Sequence, residues 1–232
     1  MQARMEVLDM LADIALAQDM TATSKSIEDL VGELKCSIYP LPREDATYRA
    51  IEQALLNTAE PAVDKGRMCG FLGGGGGVEL LAAFALARDG ENQTFARHSA
   101  VGGRQLLWHG TNIATAAAIT ATGLRIMGSG GRVGTGIYLA DEAGKSGHYV
   151  RTSQDGTGVM FLAEAALGKI FEVTKETRDV HSLRAAPAGF NSVKAVGRSC
   201  PDPSVNVCLN GRPTLLMHSC LLHRQACVLT PG

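Results

Sequence analysis

The stretch from Arg104 to Tyr149 constrains this chain most, because two strand-like runs in it bracket a short helix and a glycine-rich loop. Leu106 and Leu107 lead into Trp108, His109 and Gly110, so a short strand delivers an imidazole and a glycine together at its carboxyl end. Ala114 to Thr122 is alanine-rich and stops at Gly123, a residue that accepts the left-handed conformation after a helix at little cost. Gly128, Gly130, Gly131, Gly134 and Gly136 allow backbone to lie close to whatever fills the cleft. Ile137 to Ala140 reads as a second buried strand, and Asp141 is placed to cap a following helix that carries Lys145, Ser146 and Tyr149.

Two familiar phosphate-binding patterns fail on these residues. Gly144-Lys145-Ser146 ends like a P-loop, but Leu139 stands where that loop requires its first glycine, so its backbone amides cannot wrap a phosphate. Gly128-x-Gly130 finds Val133 where the dinucleotide fingerprint requires a third glycine. The run Gly73 to Gly77 has no strand before it and no Lys or Ser/Thr after it, and reads as linker rather than phosphate cradle.

Charge and cysteine content bound the class. A formal net charge of -1 gives no electrostatic footprint for nucleic acid or an anionic membrane. No apolar run approaches the roughly 18 residues of a membrane span, and the first residues do not form a signal peptide; a soluble intracellular protein is expected. Cys36, Cys69 and Cys200 lie far apart and imply free thiols. His218, Cys220, His223 and Cys227 match no common zinc spacing, so no metal is expected.

Along the chain, Val7, Met10, Leu11 and Ile14 repeat at helical spacing. Ser26 to Asp29 starts a second helix whose apolar stripe is Ile27, Leu30, Val31, Leu34 and Ile38, ended by Pro40 and Pro42. Arg43 to Thr58 is a third, and three helices with short connections form a small bundle. Composition shifts between Glu60 and Val78, and Asp89-Gly90 makes a turn. Val159 to Ala166, Ile170 to Val173 and Val193 to Val196 are short apolar runs that predict strands of a mixed sheet, hence an α+β fold.

Trp108-His109-Gly110-Thr111, Gly123-Leu124-Arg125-Ile126, Gly134-Thr135-Gly136-Ile137-Tyr138-Leu139-Ala140 and Lys145-Ser146-Gly147-His148-Tyr149 together resemble, in order and spacing, the NAD-binding core of the poly(ADP-ribose) polymerase family. The short loop from Met127 to Gly136 is most similar to the nuclear, DNA-break-responsive member that chiefly adds single ADP-ribose units. The resemblance implies an ADP-ribosyltransferase fold, a mixed split sheet with helices, preceded by a partial helical regulatory domain. It divides the chain into that domain at 1–60, a glycine-rich linker at 61–77 and a catalytic domain at 78–232 that becomes atypical from about 211. It also makes Val78 to Arg88 a strand, although its residues favour helix.

The implied reaction takes NAD as substrate, releases nicotinamide and moves ADP-ribose to protein or nucleic-acid acceptors. The resemblance assigns nicotinamide contacts to Gly110, Ser146, Tyr138 and Tyr149, ribose hydroxyls to His109, the adenosine side to Arg125, and a place beside the reacting ribose to Lys145. His109, Tyr138 and Lys145 are thereby the expected catalytic residues. The family's remaining catalytic residue, a glutamate on a late strand, has no counterpart, since no Asp or Glu occurs from Pro203 to Gly232. The last stretch departs from the family's closing strands, which predicts an uncovered sheet edge. Three readings stay open: an active transferase; a catalytically dead module that binds NAD or nicotinamide, or a truncated gene product; and a P-loop-type phosphotransferase, which tight ATP binding without NAD binding would be needed to revive. By resemblance the protein is nuclear, and DNA breaks would reach it only through regions that these residues do not include.

Overall fold

The computed structural model describes residues 32, 34–59, 78–126, 131, 133–174 and 186–196, and the backbone alone of 207–209, 212–214 and 226–229. The helix expected around Val7 to Ile14, the linker at 61–77 and the residues His218, Cys220 and His223 lie outside these.

The first described strand corrects the sequence expectation. A helical stripe running to Ile38 was expected, but β1 (Cys36–Leu41) is extended and pairs antiparallel with β2 (Ala83–Arg88) over six positions, from Cys36↔Arg88 to Leu41↔Ala83. Ladder bonds to a distant partner outweigh a local helical spacing, and a two-stranded sheet has the free edges that Pro40 needs. β2 occupies only the second half of the strand expected from Val78.

Helix α1 (Ala46–Thr58) starts where Asp45 accepts from the Thr47 amide at 2.6 Å. Tyr48 is buried beneath it, and its hydroxyl donates to the Leu80 carbonyl at 2.7 Å. Asp89 and Gly90 turn as expected, Gly90 at φ +75°, into α2 (Glu91–Ser99), which the sequence reading does not contain.

β3 (Arg104–Gly110) then leads into α3 (Ile113–Thr122). The Asn112 side chain accepts from the Thr115 amide at 2.8 Å, and α3 stops at Gly123 with φ +80°, as its sequence requires. Arg88 secures the far end: its guanidinium donates to the carbonyls of Ile119 and Thr120, each at 3.2 Å, and pairs with Glu91.

β4 (Ile137–Leu139), α4 (Ala143–Gly147), β5 (Met160–Ala166), β6 (Ile170–Val173) and β7 (Ser192–Ala195) follow, then β8 (Val207–Leu209), β9 (Arg212–Thr214) and β10 (Ala226–Leu229). β3 pairs with β5, and a second sheet runs β4-β10-β7-β6, in which only β6 and β7 are parallel. A mixed sheet with helices to its sides is the expected α+β architecture. The closing strand is also present: the backbone of Ala226–Leu229 fills the place between β4 and β7, so β7 is not the bare edge that the atypical ending predicts.

Register decides what each face holds. Leu139 and Lys194 both stand opposite Cys227 and therefore share a side of the sheet, as do Ile137 and Ser192 opposite Leu229. On that side Leu139, Ile137 and Ile170 pack with Leu107, Ala165 and Leu167 from the β3–β5 region. The opposite side gathers Val133, Val173, Val193 and Ala195 with Tyr138 and Phe171. A backbone bridge joins the two sheets: Trp108 N–H donates to the Ala140 carbonyl at 2.7 Å, and Ala140 N–H donates back at 2.9 Å. The Trp108 side chain turns the other way, onto Ala54 and Leu55 of α1 and Ala143. Among the described residues no helix is long and apolar enough to cross a membrane.

Candidate active site

That bridge brings the end of β3 beside β4 and α4. His109 approaches the Tyr138 backbone carbonyl through Nδ1 at 2.9 Å. A carbonyl oxygen only accepts, so Nδ1 carries the proton and Nε2 is left as an acceptor. Burial lowers the His109 pKa below its ordinary 6.5, and the bond to Tyr138 opposes this less strongly. The imidazole is therefore neutral at pH 7.

Gly110, next along β3, has to be glycine: a Cβ there would overlap the backbone carbonyl of Ser146. α4 thus crosses β3 in direct main-chain contact. The buried Ser146 hydroxyl donates to the Trp108 carbonyl at 2.9 Å, which commits its hydrogen and leaves oxygen lone pairs to accept from a ligand N–H. Tyr149 donates its backbone N–H to the Ser146 carbonyl at 3.0 Å. Its side chain is exposed, at 58%, with the Lys145 ammonium 5.6 Å from the ring centre.

Tyr138 has a second task besides any aromatic face. Its hydroxyl donates to the Gly134 carbonyl at 2.6 Å and accepts from the Val133 amide at 3.2 Å, and its ring occupies the space that a Cβ on Gly131 would need. The ring pins the Gly131–Gly134 turn, which closes on itself by mutual backbone bonds of 2.9 and 3.1 Å. Burial raises the Tyr138 pKa above its ordinary value, and the nearby Tyr149 hydroxyl adds to the rise. His109, Gly110, Tyr138, Lys145, Ser146 and Tyr149 are thus drawn together by β3, β4 and α4. Arg125 is anchored at the end of α3, where its Nε donates to Thr122 Oγ1 at 3.2 Å.

Asp141 does not cap α4. The N-cap residue is Glu142, without a side-chain cap bond, while the Asp141 carboxyl is buried and its Oδ1 has no hydrogen-bond partner among the described residues. Burial, with Glu142 adding, pushes its pKa up to about 7; Lys194 acts in the opposite sense. Lys194 is only 1% exposed and lies 3.6 Å from Glu172 on the neighbouring strand. Sequence reasoning assigned Lys194 no role. The available signal was a lysine inside the apolar run Val193 to Val196, a position where a cation needs a partner.

A neutral imidazole acceptor, a serine oxygen, an exposed aromatic face and an ammonium are thus carried by β3 and the α4 segment. Among the described residues no three His, Cys, Asp or Glu side chains cluster as a metal site would need.

Comparison with known proteins gives a consistent result. The profile of the poly(ADP-ribose) polymerase catalytic domain matches residues 46–218. The chain is similar to the protein mono-ADP-ribosyltransferase PARP3 of Mus musculus, at 39% identity over 93% of this chain and 41% of the relative. It is similar at 40% identity to the protein of the same name in Gallus gallus, over 93% of this chain and 40% of the relative. Poly(ADP-ribose) polymerase 1 of Arabidopsis thaliana is 33% identical over 88% of this chain and 20% of its own length. The chain spans about two fifths of the two mono-ADP-ribosyltransferases it matches.

Proposed function

Because the chain belongs to the poly(ADP-ribose) polymerase family, through that family's catalytic domain, we propose that it binds NAD and transfers its ADP-ribose to an acceptor with release of nicotinamide. A pyridinium is already a good leaving group. The protein's work is to hold it, to stabilise the oxocarbenium that develops on the ribose, and to keep water away. Gly110 and Ser146 would take the carboxamide, with Ser146 Oγ accepting from its N–H. Tyr149 and Tyr138 would flank the ring, and His109 Nε2 would accept from a ribose hydroxyl. Lys145 stands beside the reacting sugar and Arg125 toward the adenosine.

The observation that carries this reading is the main-chain contact of Gly110 with Ser146. It sets a backbone amide strand and a hydroxyl acceptor side by side, which is what a flat carboxamide requires.

A second reading is a module that binds NAD or nicotinamide without turnover. It is favoured by the absence of any acid after Asp202, β10 presenting Ala226, Cys227, Val228 and Leu229. A carboxylate on the ribose hydroxyl strengthens its interaction as positive charge grows in the transition state, whereas the nicotinamide grip acts in ground and transition states alike. Losing one such group slows a reaction by about 10² to 10³.

Single-turnover transfer from labelled NAD separates the two readings. The unmodified chain is expected to transfer slowly, His109→Ala more slowly still, and a version with a glutamate-bearing family strand in place of 212–232 faster. No transfer from the repaired chain would overturn the transferase reading.

Protein acceptors and single ADP-ribose units belong to the same proposal and rest on the names of the relatives; a nuclear site of action rests on the family resemblance alone. For domain organisation, the β1–β2 ladder and the packing of α1 on Trp108 support a catalytic unit that begins at β1 rather than at residue 78, with any regulatory helices before it.

A further inference from the structure

α4 has five residues, well below the roughly 12 at which an isolated helix becomes marginally stable, so what seats it must come from outside. Its N-cap residue, Glu142, makes no side-chain cap bond, and the Ala143 N–H is one of the amides that a helix start leaves without an intrahelical partner. That N–H donates instead to Oγ1 of Thr58, the last residue of α1 and 85 positions earlier in the chain, at 3.1 Å. The Thr58 hydroxyl hydrogen is already committed to the Ala54 carbonyl at 2.7 Å, so toward Ala143 the oxygen can only accept. Both groups are out of water: Thr58 is buried, and Ala143 is fully buried with Ala54, Leu55 and Trp108 around it.

One turn further on, the same side of α4 makes a second attachment. Ala143 and Ser146 are three residues apart and share a face, and the Ser146 hydroxyl donates to the Trp108 carbonyl at 2.9 Å. The Ser146 carbonyl lies where a Cβ on Gly110 would be, and it accepts the Tyr149 N–H at 3.0 Å. Where the first turn of α4 begins therefore sets where Ser146 and Tyr149 stand. We propose that Thr58 is a positioning residue for ligand binding: its hydroxyl, presented from the end of α1, fixes the start of α4 and thereby the reach of Ser146 and Tyr149 toward a carboxamide ring. The proposal rests on the nicotinamide reading for its ligand, and on the hydrogen bonds alone for the anchor.

Of the two helices, α4 is the one that yields. α1 has 13 residues, a cap from Asp45 and a buried Tyr48 bonded to the Leu80 carbonyl. Removing the Thr58 oxygen leaves the Ala143 N–H buried without its acceptor, and the readiest relief is a shift of the α4 start toward water. Gly110 lies in direct contact with the Ser146 backbone, so even a small shift registers at the site.

The test compares Thr58→Val, which keeps the side-chain shape and removes the oxygen, with Thr58→Ser, which keeps the oxygen and removes the methyl. Thr58→Ala replaces the valine variant if that one does not fold. Amide hydrogen exchange of residues 143–149 reads the anchor without any ligand, and calorimetry with benzamide, a flat aromatic carboxamide, reads the site. Both are made well below each variant's melting temperature, beside Arg88→Met as a variant destabilised away from the site. Thr58→Val should exchange these amides about tenfold faster and bind benzamide about tenfold more weakly, while Thr58→Ser stays within about twofold of the parent in both. Arg88→Met should leave the affinity unchanged. Unchanged exchange or affinity in a folded variant without the hydroxyl overturns the proposal. An equal loss in Thr58→Ser, which would assign the effect to the methyl, or in Arg88→Met, which would assign it to general destabilisation, overturns it as well. If the parent binds no benzamide while exchange still quickens in Thr58→Val, the proposed function is overturned and the anchor is supported.

Discussion

His109 and Tyr138 are linked not through their side chains but from imidazole Nδ1 to backbone carbonyl, at 2.9 Å. The bond makes the ring orientation independent of the tyrosine side chain and fixes the tautomer with Nε2 free to accept. Burial makes the histidine's charge a liability, and the bond to Tyr138 offsets this only in part.

From this follows a pH dependence with a definite sign. The folded-state pKa of His109 lies below its unfolded value of 6.5, so the unfolded chain takes up the proton first on acidification. The stabilisation from His109 is complete above pH 6.5 and is lost as pH falls through the folded-state pKa. Asp141 contributes with the opposite slope, its raised pKa removing stability as pH rises from about 4 to about 7. Urea titrations of the parent and His109→Gln across pH 5 to 8 should differ most at the acid end, the variant losing less stability there.

Gly110→Ala should cost far more than an ordinary surface methyl. The new Cβ meets the Ser146 backbone, which cannot rotate away as a side-chain tip can, so α4 must move. A loss of about 1 to 3 kcal/mol in urea unfolding is expected, the scale of overpacking, with benzamide affinity down by about tenfold or more. An affinity unchanged in a folded variant would remove α4 from the binding site.

The two tyrosines should behave differently on truncation. Tyr149 is exposed, and Tyr149→Ala should leave the melt nearly unchanged while weakening benzamide by roughly 1 to 3 kcal/mol, the value of a stacking contact. Tyr138 holds the Gly131–Gly134 turn through its hydroxyl, and Tyr138→Phe should cost about 1 kcal/mol of stability. Calorimetry and thermal melts on both variants distinguish these outcomes.

Much of the central constellation was legible in sequence because its determinants are local. The alanine-rich run, the asparagine before it and Gly123 after it suffice to define α3, and the apolar residues leading to His109 define β3. What escaped depends on partners far along the chain. Cys36 to Leu41 continues a helical stripe by spacing, and only β2, forty-odd residues later, makes it a strand. Asp141 before a short helix looks like a cap, yet its carboxyl is buried with Oδ1 unpartnered among the described residues, which local spacing does not reveal. α2 escaped for a different reason: its glutamate, glutamine and arginine surface carries too few apolar residues to mark a periodicity.

Arg88 offers a test of stability away from the site. The last carbonyls of a helix lack intrahelical donors, and Arg88 supplies them for Ile119 and Thr120 while pairing with Glu91. Arg88→Met should lower unfolding free energy by about 1.5 to 3 kcal/mol, the range for hydrogen bonds to a charged group, with benzamide affinity preserved.

The attachment of α1 has a consequence for how the protein can be divided. Thr58 Oγ1 receives the Ala143 amide at the start of α4, Tyr48 bonds Leu80, and β1 is laced to β2 along its whole length. All of these contacts are made by residues before 59 and after 78. If the chain were severed between the two, the piece bearing β1 and α1 would be held by a ladder and a packed helix, and could be supplied in trans. The segment that carries Lys145, Ser146 and Tyr149 would then be seated only when the second piece docks, so two fragments, each inert alone, would reconstitute one ligand-binding surface.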